Sequence, residues 1–307
     1  MSVAYVTHRA CREHRVPEGH PEVPERLLVI EEALMEQGVW DFLVPLEAPR
    51  CIRADLERVH DGAYVDRILE GAPREGFHAL DEDTFMSPGS AEAALRAAGA
   101  AVLATEKVLA GDFRRAFCAV RPPGHHASRS RAMGFCLFNN VAVAAAYALG
   151  PGGLDRISVL DFDAHRGNGT EALFAGDDRL QFCSMYQQDL FPPPRSEAPA
   201  ANVVEVALRP GSDGEALRAA LQTVWLPALE RHAPQLVLVS AGFDGHILDD
   251  LSALRLRDSD YRWISELCVA CADSHAQGRV VSVLEGGYHL PSLGRCAAAH
   301  VRVLMGL

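Results

Sequence analysis

ISVLDFDAH, residues 157–165, begins as a short apolar run suited to a buried strand and ends in two carboxylates and an imidazole, Asp161, Asp163 and His165. Three other segments repeat that pattern. LVLVSAGFDGH (236–246) ends in Asp244 and His246, VVSVLEGGYH (280–289) ends in Glu285, Tyr288 and His289, and RAFCAVRPPGHH (115–126) passes through a Pro-Pro-Gly turn into His125 and His126. Nearly continuous apolar strands are what a parallel sheet requires when helices cover both of its faces. Further strand patterns lie at 3–6, 180–186 and 202–208, and helical patterns at 24–37, 90–110, 139–149, 213–231, 258–277 and 291–306. This alternation predicts a single doubly wound α/β domain over residues 1–307, with a mainly parallel sheet and helices on both faces. The Pro-rich FPPPRSEAP at 191–199 is predicted to be a surface loop, because the alternation continues on both sides of it.

The 307 residues carry a formal net charge of −12, and Lys107 is the only lysine. That balance argues against nucleic acid as a partner, which would demand clustered positive charge, and is compatible with cationic substrates or with nothing more than solubility. The longest apolar stretch, Val141 to Leu149, is about half of what a membrane span needs, so no membrane association is expected. The opening MSVAYVTHRA lacks a leader pattern, and eight scattered cysteines read as free thiols in a reducing cytoplasm. Cys268 and Cys271 form a CxxC inside a helical pattern without a second pair, which favours buried structural thiols over metal or redox chemistry. The sequence carries no signal for an oligomeric state.

In a doubly wound sheet, ligands sit outside the carboxyl ends of the strands. A carboxylate at the end of a buried strand is costly unless a positive charge meets it. A divalent metal answers that need: Asp163 and His165, two residues apart, can converge on one ion with Asp244 as the third ligand. Three protein ligands leave a position open for water, the catalytic arrangement of zinc. The competing reading is of solvated loop residues that merely follow strands. Four strand ends marked in the same way weigh against it.

RPPGHHA (121–127), GFCLFNNVAVAA (134–145), DFDAHRGNGT (161–170), SAGFDGH (240–246) and LEGGYHL (284–290) resemble the motifs of the zinc-dependent histone deacetylase family. Its bacterial members include acetylpolyamine amidohydrolases and acetoin-utilisation proteins. GHPEVPERL (19–27) is similar to the class II branch, and the resemblance runs in order from Val3 to Leu307. It implies an arginase/deacetylase-type fold and an amidohydrolase that frees an amine and a carboxylate. Zinc, or ferrous iron in its place, would be held by Asp163, His165 and Asp244. His125 and His126 would do acid–base work, oriented by Asp161 and Asn168, and Tyr288 would donate to the scissile carbonyl. Ser184 and Met185, with backbone oxygens around Asp161, Asp163 and His165, match a structural potassium site. Gly134 and Phe135 match a wall of the substrate channel, and Asp83 a rim position that holds the substrate backbone.

Two positions depart from the family pattern. Arg166 stands where a second histidine is common and is expected to face the sheet edge or solvent; Asp250 stands where proline is common. His246 and His289 read as rim or structural histidines, since three ligands already complete the site. Polyamine-specific relatives carry a carboxylate seven residues after the third ligand, and here that position is Leu251. The reading therefore favours acyl-lysine in peptides or proteins over small acetylated amines, with Asp249 or Asp250 as the carboxylates that would reverse it. A two-manganese ureohydrolase is disfavoured, because its additional carboxylates are replaced at Arg166–Gly167 and at His246. The other alternative is a catalytically weak acyl-lysine binding protein, although no group required for chemistry is missing.

Overall fold

A computed structural model of the chain describes residues 2–195 and 198–307. Its strands are β1 (Val3–Thr7), β2 (Leu43–Glu47), β3 (His78–Ala79), β4 (Phe85–Met86), β5 (Arg115–Cys118), β6 (Ile157–Asp161), β7 (Leu180–Gln187), β8 (Val203–Leu208), β9 (Leu236–Ala241) and β10 (Val280–Leu284). The helices are α1 (Glu25–Glu36), α2 (Arg53–Leu56), α3 (Gly62–Glu70), α4 (Ser90–Ala110), α5 (Asn140–Leu149), α6 (Asn168–Phe174), α7 (Gly214–His232), α8 (Asp258–His275) and α9 (Leu290–Met305). Among the described residues, eight strands form one sheet in the order β2-β1-β5-β10-β9-β6-β7-β8, with every neighbouring pair parallel. The short β3 and β4 pair antiparallel elsewhere. The expected α/β architecture is thus present, with α4, α5 and α6 packed together on one face and α1, α7, α8 and α9 on the other.

The central strands β5, β10, β9 and β6 are buried along their whole length, which is why they read as unbroken apolar runs. These four are also the strands whose ends carry the marked polar residues, and they lie side by side. The polar ends therefore meet at the carboxyl ends of the central strands. Alanines along α4 let that helix lie close to β1, β5 and β10. Helix starts use local acceptors: Asn139 takes the amide of Ala142, and Asp213 takes those of Glu215 and Ala216.

Helices α2, α3 and α6 and strands β2, β3 and β4 lie outside the patterns read from the sequence. Strand β2 was not anticipated because Pro45 interrupts its pattern; it lies at the sheet edge, where a missing N–H is tolerated. The strand patterns RAFCAV (115–120), ISVLDFD (157–163), LVLVSAGF (236–243) and VVSVLEG (280–286) each end two residues earlier in the structure, at Cys118, Asp161, Ala241 and Leu284. Asp163 and His165 consequently sit in a loop past β6, so their convergence comes from loop geometry rather than from strand pleat. All eight cysteines are free and buried. Among the described residues, no helix is long and apolar enough to cross a membrane.

Candidate active site

Asp163, His165 and Asp244 are buried, and their ligand atoms lie within 4.8 Å of one another. His165 Nδ1 stands 3.0 Å from Asp163 Oδ1 and 2.8 Å from Asp244 Oδ2. Backbone amides hold both carboxylates in place. Asp163 accepts the amides of His165 and of Gly286, both at 2.8 Å, and Asp244 accepts that of Ala164 at 2.8 Å. Gly286 is required here, because a Cβ at that position would come within 2.4 Å of Asp244 and 2.5 Å of Asp163 carboxylate oxygens. Burial opposes ionisation of Asp244, the charge of Asp163 adds to that, and its pKa rises. Burial also opposes a charge on His165, but Asp244 and Asp163 outweigh it and push its pKa up to about 10. Two buried carboxylates around one imidazole hold more negative charge than a single proton neutralises. That set of two oxygens and one nitrogen fits a divalent cation.

The tandem histidines lie next to this group, with ring centroids 4.0 Å apart. His125 Nδ1 is 3.0 Å from Asp161 Oδ2, and His126 Nδ1 is 2.7 Å from Asn168 Oδ1. The two partners divide the pair electrostatically. Burial disfavours a charge on His125, yet Asp161 and Asp163 prevail and its pKa is raised well above the ordinary range. His126 has no carboxylate partner, so burial and the neighbouring charges of His125 and His165 lower its pKa well below that range. Glu285 accepts the amides of Gly124 at 2.7 Å and His125 at 3.1 Å, and so holds the turn that presents both rings.

Tyr288 follows β10 on a loop anchored from two sides. Asp249, buried, accepts the amides of Tyr288 at 2.6 Å and His289 at 2.9 Å. Arg26, fully buried, donates to the carbonyls of Gly287 at 2.7 Å and Glu285, pairs with Glu22 at 2.8 Å, and lies 4.9 Å from the Tyr288 ring centroid. Glu22 is in turn bridged to Arg121. The GHPEVPERL segment thus underlies the Tyr288 loop, a role that its motif alone did not disclose. A buried arginine in such a motif is nonetheless a usable signal, since burial of that charge demands partners.

Phe135 packs edge-on to Tyr288 at 5.7 Å and to His20 at 4.6 Å. Its amide donates to Thr84 Oγ1 at 3.1 Å, tying it to the loop that carries Asp83. Gly134 lets the backbone pass close to His126, whose Cδ2 would be 2.3 Å from an added Cβ. Asp81, Glu82, Asp83, Arg131, Met133, Phe191 and Pro193 line an open cavity of about 790 Å³. None of these lining residues comes from the 249–251 turn. Leu251 is half-buried there, its amide held by Asp249 at 3.1 Å. Three backbone N–H groups occupy the carboxylate of Asp249, which weighs against its meeting a cationic substrate. Asp250 is exposed.

The Pro-rich segment is a loop with Pro193 and Pro194 exposed, as expected. Residues 196 and 197 lie outside the described residues, but Phe191 turns inward, with its ring 5.1 Å from His126 and 6.5 Å from His165. An aromatic residue ahead of three prolines was the only hint available. Arg166 does not face solvent as expected. It is buried and donates to the Pro193 carbonyl at 2.9 Å, because Glu171 and that carbonyl give its charge somewhere to go. Ser184 of β7, paired with Asp161 of β6, has a buried hydroxyl with no partner among the described residues. An orphaned oxygen there fits an ion at the position expected for potassium.

His246, Asp258 and Cys296 form a second donor group outside this site. His246 Nε2 faces Asp258 at 2.9 Å while its Nδ1 accepts the Leu248 amide at 3.1 Å, so the proton resides on Nε2. With Arg295 already 2.7 Å from Asp258, the group reads as a structural link between the loop after β9 and helices α8 and α9. His289 caps α9, accepting the Ser292 amide.

Comparison with known proteins agrees with this geometry. The histone deacetylase domain family matches residues 20–304. The chain is 37% identical over 296 residues to the histone deacetylase-like amidohydrolase of Pseudomonas aeruginosa, covering 94% of this chain and 78% of that one. It is 34% identical over 327 residues to mouse polyamine deacetylase HDAC10, covering 100% of this chain and 48% of the relative. Among solved structures, the HDA15 HD domain superposes with a TM-score of 0.91 at 29% identity, covering 99% of this chain and 91% of the other.

Proposed function

This chain belongs to the histone deacetylase family, and from that premise we propose that it hydrolyses the amide of acyl-lysine side chains in peptides or proteins with the help of one divalent ion. The observation that carries the reading is the convergence, at the carboxyl ends of the central strands, of the Asp163–His165–Asp244 group with the His125–Asp161 and His126–Asn168 pairs. Zinc, or ferrous iron, would be held by Asp163, His165 and Asp244. When bound, such an ion lowers the pKa of water and polarises an amide carbonyl.

The protein's own groups supply the rest. Phe135 and Phe191 flank the aliphatic stem of the substrate, with the Gly134 backbone between the Phe191 and His126 rings. His126, kept neutral by its amide partner, takes a proton from the attacking water and passes it to the departing amine. His125, kept charged by Asp161, contributes positive charge beside the developing oxyanion. Tyr288 donates a hydrogen bond to that oxyanion, and the Arg26 and Asp249 contacts hold its loop. A potassium ion at the Ser184 hydroxyl and the Met185 backbone would brace the end of β6 that carries the metal donors.

A second reading, deacetylation of small acetylated amines such as polyamines, draws on the carboxylates of Asp81, Glu82 and Asp83 beside the cavity and on the mouse relative. A panel of acyl-lysine peptides and acetylpolyamines, run on one preparation of defined metal content, tests both. Turnover of neither class in the presence of zinc or ferrous iron would refute the enzymatic reading.

A further inference from the structure

The wall that Phe191 and Pro193 give to the cavity beside Asp83 and Met133 is built from a segment poor in backbone donors. Pro192, Pro193 and Pro194 follow Phe191 in succession, so three consecutive residues have no backbone N–H to donate. The segment must be held through its carbonyls and side chains. One buried side chain reaches it from beneath: Arg166 donates through Nη2 to the Pro193 carbonyl at 2.9 Å. The guanidinium is steadied on its other side by Glu171, with Nε 3.7 Å from Oε2.

Glu171 also receives Arg195 Nη1 at 2.7 Å, and Arg195 extends to Glu205 of β8 at 2.7 Å. Arg166, Glu171, Arg195 and Glu205 thereby form a charge-balanced network that grips the segment at Pro193 and again at Arg195. Between the grip and the chemistry stands Phe191. Its ring lies 5.1 Å from that of His126, and its Cε1 would be 3.0 Å from a Cβ on Gly134. A shift of Phe191 by an ångström or so would change the width of the space beside His126 and His165.

We propose that Arg166 is a positioning residue that sets selectivity for the acyl group and stem of the substrate by fixing the Phe191–Pro193 wall. It acts through Phe191, not on the reacting atoms. Residue type matters. Arginine combines the reach to a carbonyl across the loop with a delocalised charge that extends to Nε, 3.7 Å from Glu171 and without a hydrogen bond of its own, whereas lysine offers one point charge that can serve only one of them well. A histidine at 166 would be too short to span from the loop after β6 to Pro193. The wall of this chain is thus held by a device that follows from its own sequence.

The proposal rests on the deacetylase reading for its kinetic consequences but not for its structural one, and the test separates the two. Arg166→Met, Arg166→Lys and Glu171→Gln are compared with the unaltered enzyme. The measurements are metal content, amide exchange over residues 187–191, and kcat and KM for acetyl-lysine and butyryl-lysine peptides. Arg166→Met is expected to keep its metal, to speed exchange over 187–191, and to raise KM about tenfold with kcat changed less than about threefold, the pattern of lost uniform binding. Its preference for acetyl over butyryl should narrow by about fivefold, since specificity is a difference of affinities set by the wall. Arg166→Lys should recover part of each effect, and Glu171→Gln should reproduce the exchange change in milder form. Unchanged exchange in both Arg166→Met and Glu171→Gln would overturn the proposal, as would a loss confined to kcat. If the unaltered enzyme turns over neither peptide, the deacetylase reading fails while the exchange measurement still decides whether Arg166 holds the wall.

Discussion

The carboxylate of Asp249 accepts the backbone N–H of Tyr288 at 2.6 Å and, through the same oxygen, that of His289 at 2.9 Å. Its other oxygen takes the amide of Leu251 at 3.1 Å. A buried carboxylate with three amide donors is a rigid joint between the loop after β9 and the loop after β10. Asp249→Asn presents an NH2 group to one set of donors and leaves buried N–H groups unpaired, a loss of about 1–3 kcal/mol. If Tyr288 acts on the substrate carbonyl, kcat should fall about ten- to a hundredfold with KM little changed, because misplacement affects the transition state first. A double-mutant cycle with Tyr288→Phe checks this: the two losses should be strongly non-additive, and additive losses would make Asp249 merely structural.

Tyr288→Phe itself is expected to keep the fold and the metal yet lose about two to three orders of magnitude in kcat, the typical worth of one preorganised oxyanion donor. Thermal unfolding and metal analysis on the same preparation separate this from global damage. A nearly unchanged kcat would remove Tyr288 from the mechanism.

The pH dependence follows from the different partners of the two histidines. His126 is lowered by burial and by the charge of His125, so its neutral, proton-accepting form persists below the ordinary imidazole range of about 6.5. The acidic limb of kcat/KM should lie correspondingly low. Asn168→Asp puts a carboxylate at His126 Nδ1, favours the charged ring, and should move that limb to higher pH. His126→Ala should be more damaging than His125→Ala, whose ring is held charged by Asp161. A mild His126→Ala beside an inactive His125→Ala, or an unmoved limb in Asn168→Asp, would reverse the assignment.

The strand ends were legible because burial leaves a strong mark. Val and Leu runs at 157–160, 236–239 and 280–284 fit only covered strands, and a carboxylate at the end of such a run demands a counter-charge. The pairings His125–Asp161 and His126–Asn168 were legible only through family resemblance, since nothing in spacing ties residue 125 to residue 161. Arg26, Asp249 and Phe191 were harder still. Each acts through contacts that depend on how distant loops cross: Arg26 on carbonyls 259 and 261 positions away, Asp249 on amides 39 and 40 positions away. Backbone acceptors and donors are the same for every residue type, so partners of this kind leave no trace in composition or periodicity. Pro45 hid β2 for the opposite reason, because a local signal contradicted a tertiary placement at a tolerant edge.

Metal content offers an independent check. One divalent ion per chain is expected after exhaustive dialysis, lost in Asp244→Asn and unaffected in Cys296→Ser, because the His246–Asp258–Cys296 group has its imidazole proton committed to Asp258. Strong chelation should abolish activity reversibly and lower the unfolding temperature, since an ion that binds the folded state alone stabilises it. Two tightly held manganese ions would contradict the mononuclear arrangement.

Substrate choice turns on which carboxylates a cationic substrate can reach. Asp249 is spent on backbone amides, and Leu251 carries no charge, so the turn after β9 offers only the exposed Asp250. Near the cavity stand Asp81, Glu82 and Asp83, with Arg131 opposing them. Asp83 is half-buried and bonded to Thr84, which makes it better suited to a peptide amide than to a mobile ammonium. A diffuse acidic rim attracts basic peptides and polyamines alike, but discrimination for a polyamine needs a carboxylate at a fixed distance from the scissile amide. An acetyl-lysine peptide is therefore expected to exceed N8-acetylspermidine in kcat/KM, and a basic residue beside the acetyl-lysine should raise its rate in a salt-sensitive way. Asp83→Asn should lower kcat/KM for the peptide more than for the polyamine. A polyamine preference of about tenfold, some 1.4 kcal/mol, would overturn the acyl-lysine reading and direct attention to Asp250, whose replacement by Asn should then erase that preference.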